Sequence, residues 1–136
     1  MKSAQLRLFL LILILGSLLL ASPIFAHHGT NISYDHGKPT TLNGTVTEFV
    51  WSNPHCQLYF DVKDAGGKVT GWAGELNSPS VLGREGWTKR QFKAGDQITI
   101  TVFPSKAGSP VGVVDRTHPI LANGKEVVPA NSRNVD

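Results

Sequence analysis

Hydrophobic positions along the chain fall into two regimes that meet near residue 26. Residues 8–21 are apolar except for Gly16 and Ser17, follow Lys2 and Arg7, and lead into a short 22–26 stretch with Ile24 and Ala26 at the −3 and −1 positions of a cleavage site. That layout predicts a secretory signal peptide over 1–26, cut before His27. The competing reading is an uncleaved anchor, since 8–26 is nearly long enough to span a bilayer, but Pro23 and the small-residue end favour removal. Residues 27–40 are polar and aperiodic and predict an extended N-terminal arm, and 129–136 predict a loose tail.

Between arm and tail, apolar and polar residues alternate in short runs cut by turn residues, which is the period of strands. The first run is 41–51, with Gly44 as an expected bend or bulge, and Asn53-Pro54 closes it because proline cannot donate to a ladder. A second run, 55–63, is joined by Asp64-Ala65-Gly66-Gly67 to a third, 68–76. Ser78-Pro79 then reads as a helix N-cap followed by proline at the first helical position, and Gly86 as a stop, which predicts a short helix over 79–85. Strands follow at 97–103 and 110–121, and Asn123-Gly124 turns the chain into a last run at 126–128. This is the order of an all-β domain over 41–128, a small OB-like Greek-key barrel of five to six strands with one short helix between strands 3 and 4. Such barrels commonly give one exposed face and its loops to ligands, an expectation from fold alone.

Period two puts Cys56, Leu58, Phe60 and Val62 on one face of the second strand and His55, Gln57, Tyr59 and Asp61 on the other. The first set is apolar, so Cys56 reads as a buried small hydrophobe rather than a ligand or a redox thiol. In the fourth strand Ile98, Ile100 and Val102 face in, while Thr99, Thr101 and Phe103 face out. An outward phenylalanine suggests a loop lying over it. Trp72 and Trp87 are assigned to the core or to the underside of the helix.

Removing the leader leaves 110 residues, enough for one domain, in which Val occurs 12 times and Thr 10 times against 5 Leu, a β composition. The same subtraction leaves 11 Lys and Arg against 10 Asp and Glu, so most of the formal +3 belongs to the leader. With no cationic run, no nucleic-acid partner is expected, and no membrane contact once the leader is cut. The single cysteine excludes an intrachain disulfide, so packing alone must hold an exported domain together. Neither a serine nucleophile elbow nor a phosphate-binding glycine loop is present, and no catalytic residue is assigned.

The five histidines change this picture more than the charge does. A cut before His27 creates a free α-amine beside the imidazoles of His27 and His28, a nitrogen set that favours Cu(II), with zinc as the alternative. His36, His55 and His118 are the remaining imidazoles, and the candidate metal ligands are His27, His28, His55 and His118, brought together if the arm folds back over the barrel. The plainer reading is a solvated end that picks up metals nonspecifically, and no His-x-x-x-His or Cys-x-x-Cys spacing raises a built metal site above it. Glu75 shares its phase with Val69, Gly71 and Ala73, so it is either an edge carboxylate facing water or a functional carboxylate in a groove.

The His27-His28 start, Gly44-Thr45-Val46, Trp51-Ser52-Asn53-Pro54-His55, Glu75, Gly86-Trp87, Gly95-Asp96 and the Pro104-x-Lys106-x-Gly108 loop resemble domain-of-unknown-function family 6152, small exported bacterial proteins. The resemblance spans nearly all of the chain beyond the leader. It implies a periplasmic, mostly β domain of unestablished activity, with functional interest on His27, His28, Asn53, His55 and Glu75. Asn53 and Glu75 are the expected contacts of a bound ligand. The chain departs from the family pattern at Gly29, where serine is usual, and at Ile32-Ser33-Tyr34-Asp35, which replaces a Phe-Asp element.

These observations lead to the expectation of a periplasmic or secreted binding or accessory domain that holds a metal ion, copper first, or a small polar ligand. One alternative is a structural protein-interaction module of the cell envelope, with Trp51 and Phe103 in a patch for a protein partner. Another is a small copper-dependent oxidative enzyme, for which 110 residues leave little room for a substrate cleft.

Overall fold

The structure is a computed structural model that describes residues 33–128 together with residue 5. The rest of the expected leader, the first part of the arm with His27 and His28, and the 129–136 tail lie outside the described residues. The described elements are β1 (Thr40–Val50), β2 (Gln57–Lys63), β3 (Val69–Glu75), α1 (Pro79–Arg84), β4 (Gln97–Pro104), β5 (Val111–Val114), β6 (Ile120–Ala122) and β7 (Lys125–Val128). The sheet runs β1-β2-β3-β5-β4, and β4 pairs again with β1, closing a five-stranded barrel from which β6 and β7 extend beyond β4. β3 and β5 are parallel while β1–β2, β2–β3 and β4–β5 are antiparallel, as expected for the OB-like Greek key.

Closure depends on β1 serving two neighbours. Its first half pairs with β4, from Thr40↔Val102 to Thr45↔Gln97, and its second half pairs with β2, from Thr45↔Asp61 to Val50↔Gln57. Gly44 sits where the strand changes partner, and a Cβ there would lie 2.8 Å from both the Asp61 carbonyl oxygen and the Phe60 ring. Glycine is therefore required for close approach. The bulge itself lies between Val46 and Glu48, not at Gly44, because it is Thr47 that has no counterpart on β2.

Alternation places Cys56, Leu58, Phe60, Ile98, Ile100 and Val102 in the core as expected, with Val62 only half-buried; Val46 and Val114 join them, Trp87 is buried beside them and Trp72 packs against them half-buried. Burial pushes the Cys56 thiol up, against a smaller opposing effect of its backbone hydrogen bond to Ser52, so it is a core atom and not a reactive one. The expected fifth run does not continue to residue 121. Asp115 accepts hydrogen bonds from the Thr117 N–H at 3.0 Å and the Thr117 hydroxyl at 2.6 Å, a side-chain-to-backbone turn that ends β5. Pro119 follows, and the chain restarts as β6, which makes seven strands among the described residues instead of five or six.

α1 begins at Pro79 and ends at Arg84, one residue before the predicted end, with Gly86 turning the chain at φ 89°. Leu82 fixes it to the core. Its C-terminal end is held by Arg116, whose side chain is 1% exposed, ion-paired with Glu85, donating to Asn77 Oδ1 at 2.9 Å, and 5.7 Å from the centre of the Trp87 ring. The sequence reading did not anticipate this buried charge.

Candidate functional site

Four strands lay one row of side chains across the outside of the barrel. Gln57 pairs with Glu75, Glu75 with Val113, and Val113 with Phe103. The end of the arm returns onto this row: Asp35 N–H donates to the Pro104 carbonyl at 2.9 Å, Lys106 N–H donates to the Ser33 carbonyl at 3.0 Å, and Tyr34 bridges to Ser105. Asp35 then makes the turn that leads into β1, accepting from Gly37 N–H at 3.1 Å. The His36 ring lies 4.5 Å from the Phe103 ring, which leaves Phe103 only 8% exposed. The outward phenylalanine of β4 is thus covered by the protein's own arm. Trp51, the other residue of the expected partner patch, is half-buried with its ring edge-on to Phe49 at 5.9 Å.

At the β3 end of the row, Glu75 joins the arm to the Asn53-Pro54-His55 turn. One carboxylate oxygen accepts from the Tyr34 hydroxyl at 3.0 Å, and the other is bonded to His55 Nδ1. The Tyr34 phenol is pushed up to about 12, first by burial, then by the negative charge of Glu75 and the hydrogen bond to it, so Tyr34 remains a donor. The side chain of Glu75 is 17% exposed, which makes it a groove carboxylate and not a solvated edge charge. With Nδ1 engaged, neutral His55 keeps its lone pair on Nε2. That atom has no partner among the described residues, and the side chain is 32% exposed. A carboxylate that fixes an imidazole through the nitrogen not used for binding is the arrangement that orients metal-ligating histidines.

The other candidates are placed differently. Asn53 is exposed at the cis Asn53-Pro54 bond, two residues before His55, and its side chain makes no hydrogen bond among the described residues. His118 has a carboxylate of its own in the β5–β6 turn, with Nδ1 3.0 Å from Asp115 Oδ2. Burial pushes the Asp115 carboxyl up, but the Thr117 hydroxyl, the Thr117 N–H and His118 outweigh it and hold the group below the usual carboxylate range. His118 shares no hydrogen bond with His55 or Glu75. His27 and His28 lie outside the described residues. Among the described residues no three His, Cys, Asp or Glu side chains are grouped to hold a metal ion, so His55 stands there as a single oriented imidazole.

The structure therefore brings together His55 and Glu75 and adds Tyr34, which sequence reasoning passed over. The available signal was its place in the arm, an aromatic next to Asp35 where the resembled family has a Phe-Asp element. The model of a family of unknown function, DUF6152, matches residues 16–115. No curated protein and no solved structure matches the chain.

Proposed function

Because the chain belongs to the family of unknown function DUF6152, its role has to be argued from the site, and we propose an exported, periplasmic binding domain that holds a transition-metal ion at His55. The supporting observation is that Glu75 grips both His55 Nδ1 and the Tyr34 hydroxyl of the arm, so one carboxylate orients the imidazole and anchors the segment that follows His27 and His28. The five steps from His28 to Ser33 give a fully extended reach of roughly 17 Å at ~3.4 Å per residue, enough to return over the row it is tied to. In this reading the leader is cut before His27, and the new α-amine with the His27 and His28 imidazoles completes the ligand set around His55 Nε2. Amine and imidazole nitrogens favour Cu(II), with zinc as the second choice. In this reading Glu75 holds the tautomer, Tyr34 holds Glu75, and the exposed Asn53 on the same turn as His55 supplies a hydrogen bond to a bound water or polar ligand. The reading of the protein as an interaction module built on Trp51 and Phe103 loses support, because Phe103 is covered by His36.

Isothermal titration of the protein beginning at His27 with Cu(II) and Zn(II) tests this. The expected result is one tight Cu(II) site that weakens about tenfold or more when a single glycine is added before His27, and again with His55→Ala. Affinity unchanged by both alterations contradicts it.

A further inference from the structure

A second feature lies farther along the outer face of the barrel. Gly71 and Ala73 stand opposite Asp61 and Tyr59 in the β2–β3 register. Because neither Gly71 nor Ala73 fills the space above its strand, a concavity of about 300 Å³ opens there, walled by Thr47, Tyr59, Asp61, Pro110 and Val111. The wall is mainly apolar, and the polar groups of Thr47, Tyr59 and Asp61 are solvent-exposed side chains at its edge. Tyr59, 38% exposed, together with Ala73, Pro110 and Val111, supplies apolar surface. The Thr47 hydroxyl, the Tyr59 hydroxyl and the Asp61 carboxylate have no hydrogen-bond or ion-pair partner among the described residues. Thr47 is displayed there because it is the bulged residue of β1.

Asp61 also lines a neighbouring concavity of about 270 Å³, with Asn43, Thr45, Lys63, Gln97 and Thr99. Here the polar side chains are already organised across β1 and β4: the Thr99 hydroxyl donates to Asn43 Oδ1 at 2.7 Å, and the Gln97 amide donates to Thr45 Oγ1 at 2.9 Å. The amide nitrogen of Asn43 is left to donate outward. Asp61 and Lys63 are the charged residues of the two hollows and have opposite signs.

We propose that this face binds a neutral oligosaccharide, with Asp61 shared between two adjacent subsites. A sugar ring presents an apolar C–H face and a belt of hydroxyls that both donate and accept. The Tyr59 ring with Pro110 and Val111 matches the first, and Thr47, Asp61 and the Asn43 amide match the second. A fully apolar ligand would bury Asp61 and Thr47 without partners, which is costly. A polyanion would meet the Asp61 carboxylate with only Lys63 to offset it. An organic cation would use Tyr59 and Asp61 but leave the second hollow idle, and it is the competitor that the experiment must separate.

Amide chemical shifts of the isotopically labelled protein beginning at His27 are followed during titration with cellohexaose, with an N-acetylglucosamine hexamer, with the matching disaccharides, and with tetramethylammonium chloride. The expected result is saturable movement of Thr47, Tyr59, Asp61 and Gly71 with a hexasaccharide, extending to Asn43 and Thr99, and weaker binding of the disaccharide. Tyr59→Ala lowers that affinity about tenfold while the melting temperature is retained, because the side chain is exposed. Asp61→Asn weakens saccharide binding without abolishing it. No saturable movement with any of the saccharides at millimolar concentration overturns the proposal. So does a response to tetramethylammonium alone, or a saccharide affinity that Tyr59→Ala leaves unchanged.

Discussion

Both oxygens of Glu75 are engaged, one by the Tyr34 hydroxyl at 3.0 Å and the other by His55 Nδ1, and each contact makes the other more useful. The phenol keeps the carboxylate in place, and the carboxylate keeps the imidazole in the tautomer that offers Nε2. Tyr34 has its folded value raised to about 12 from an ordinary 10.0, so its stabilising contribution is fully present below pH 10.0 and is lost as the pH rises through about 12. Glu75→Gln removes the charge and weakens the hydrogen bond but leaves burial, the largest cause. The phenolate absorbance that Tyr34→Phe removes should therefore titrate lower in Glu75→Gln than in the wild type, without returning to 10.0. An unmoved midpoint would mean that the two side chains are not coupled. Glu75 was legible in the sequence as a carboxylate whose phase partners are small or apolar. Tyr34 was not, because its partner is 41 residues away and the arm has no periodicity to fix which way its side chains point.

At the scale of elements, strand alternation was legible wherever one face is buried and the other wet. Leu58 and Phe60 of β2 and Ile98, Ile100 and Val102 of β4 are buried on the expected phase, as is Cys56 just before β2 at 0% exposure. Thr101 and Phe103 on the outward phase of β4 are buried as well, whereas Val62 is only half-buried. The end of β5 was missed although its turn chemistry stands in the sequence as Asp115-x-Thr117-x-Pro119, since the run of valines before it masks a side-chain-to-backbone turn. The Arg116–Glu85 pair could not be read at all, because what pairs them is the packing of α1 against the turn after β5. With side chains only 1% and 9% exposed, the pair is costly to break from one side. Arg116→Met should destabilise the protein by about 3–5 kcal/mol in chemical denaturation, by stranding the Glu85 carboxylate, and adding Glu85→Gln should recover part of that loss. Equal stability of the single and double variants would show that the lost Arg116 contacts to Asn77 and Trp87, not the stranded charge, carry the cost.

For the molecule as a whole, the closed barrel followed from the order and spacing of turns, while the docking of the arm did not. Its one trace in the sequence was Phe103 on the outward phase of β4, a ring that needed a cover, and His36 is that cover at 4.5 Å. The arm is then an element of the site and not a tether to it. Its hold should be measurable by amide exchange: His36→Ala or Tyr34→Phe should speed exchange at Asp35 and Lys106, whose N–H groups join arm to barrel, and leave the β2–β3 ladder protected. Uniform acceleration across the barrel would instead make the arm part of the global fold. The central claim, that Glu75 and the arm present His55 as a metal ligand, is tested most directly by pulsed electron paramagnetic resonance of the Cu(II)-loaded protein beginning at His27. The account predicts an imidazole-nitrogen coupling that is lost in His55→Ala, and a spectrum that changes in Glu75→Gln. A Cu(II) spectrum identical in the wild type and His55→Ala would contradict it.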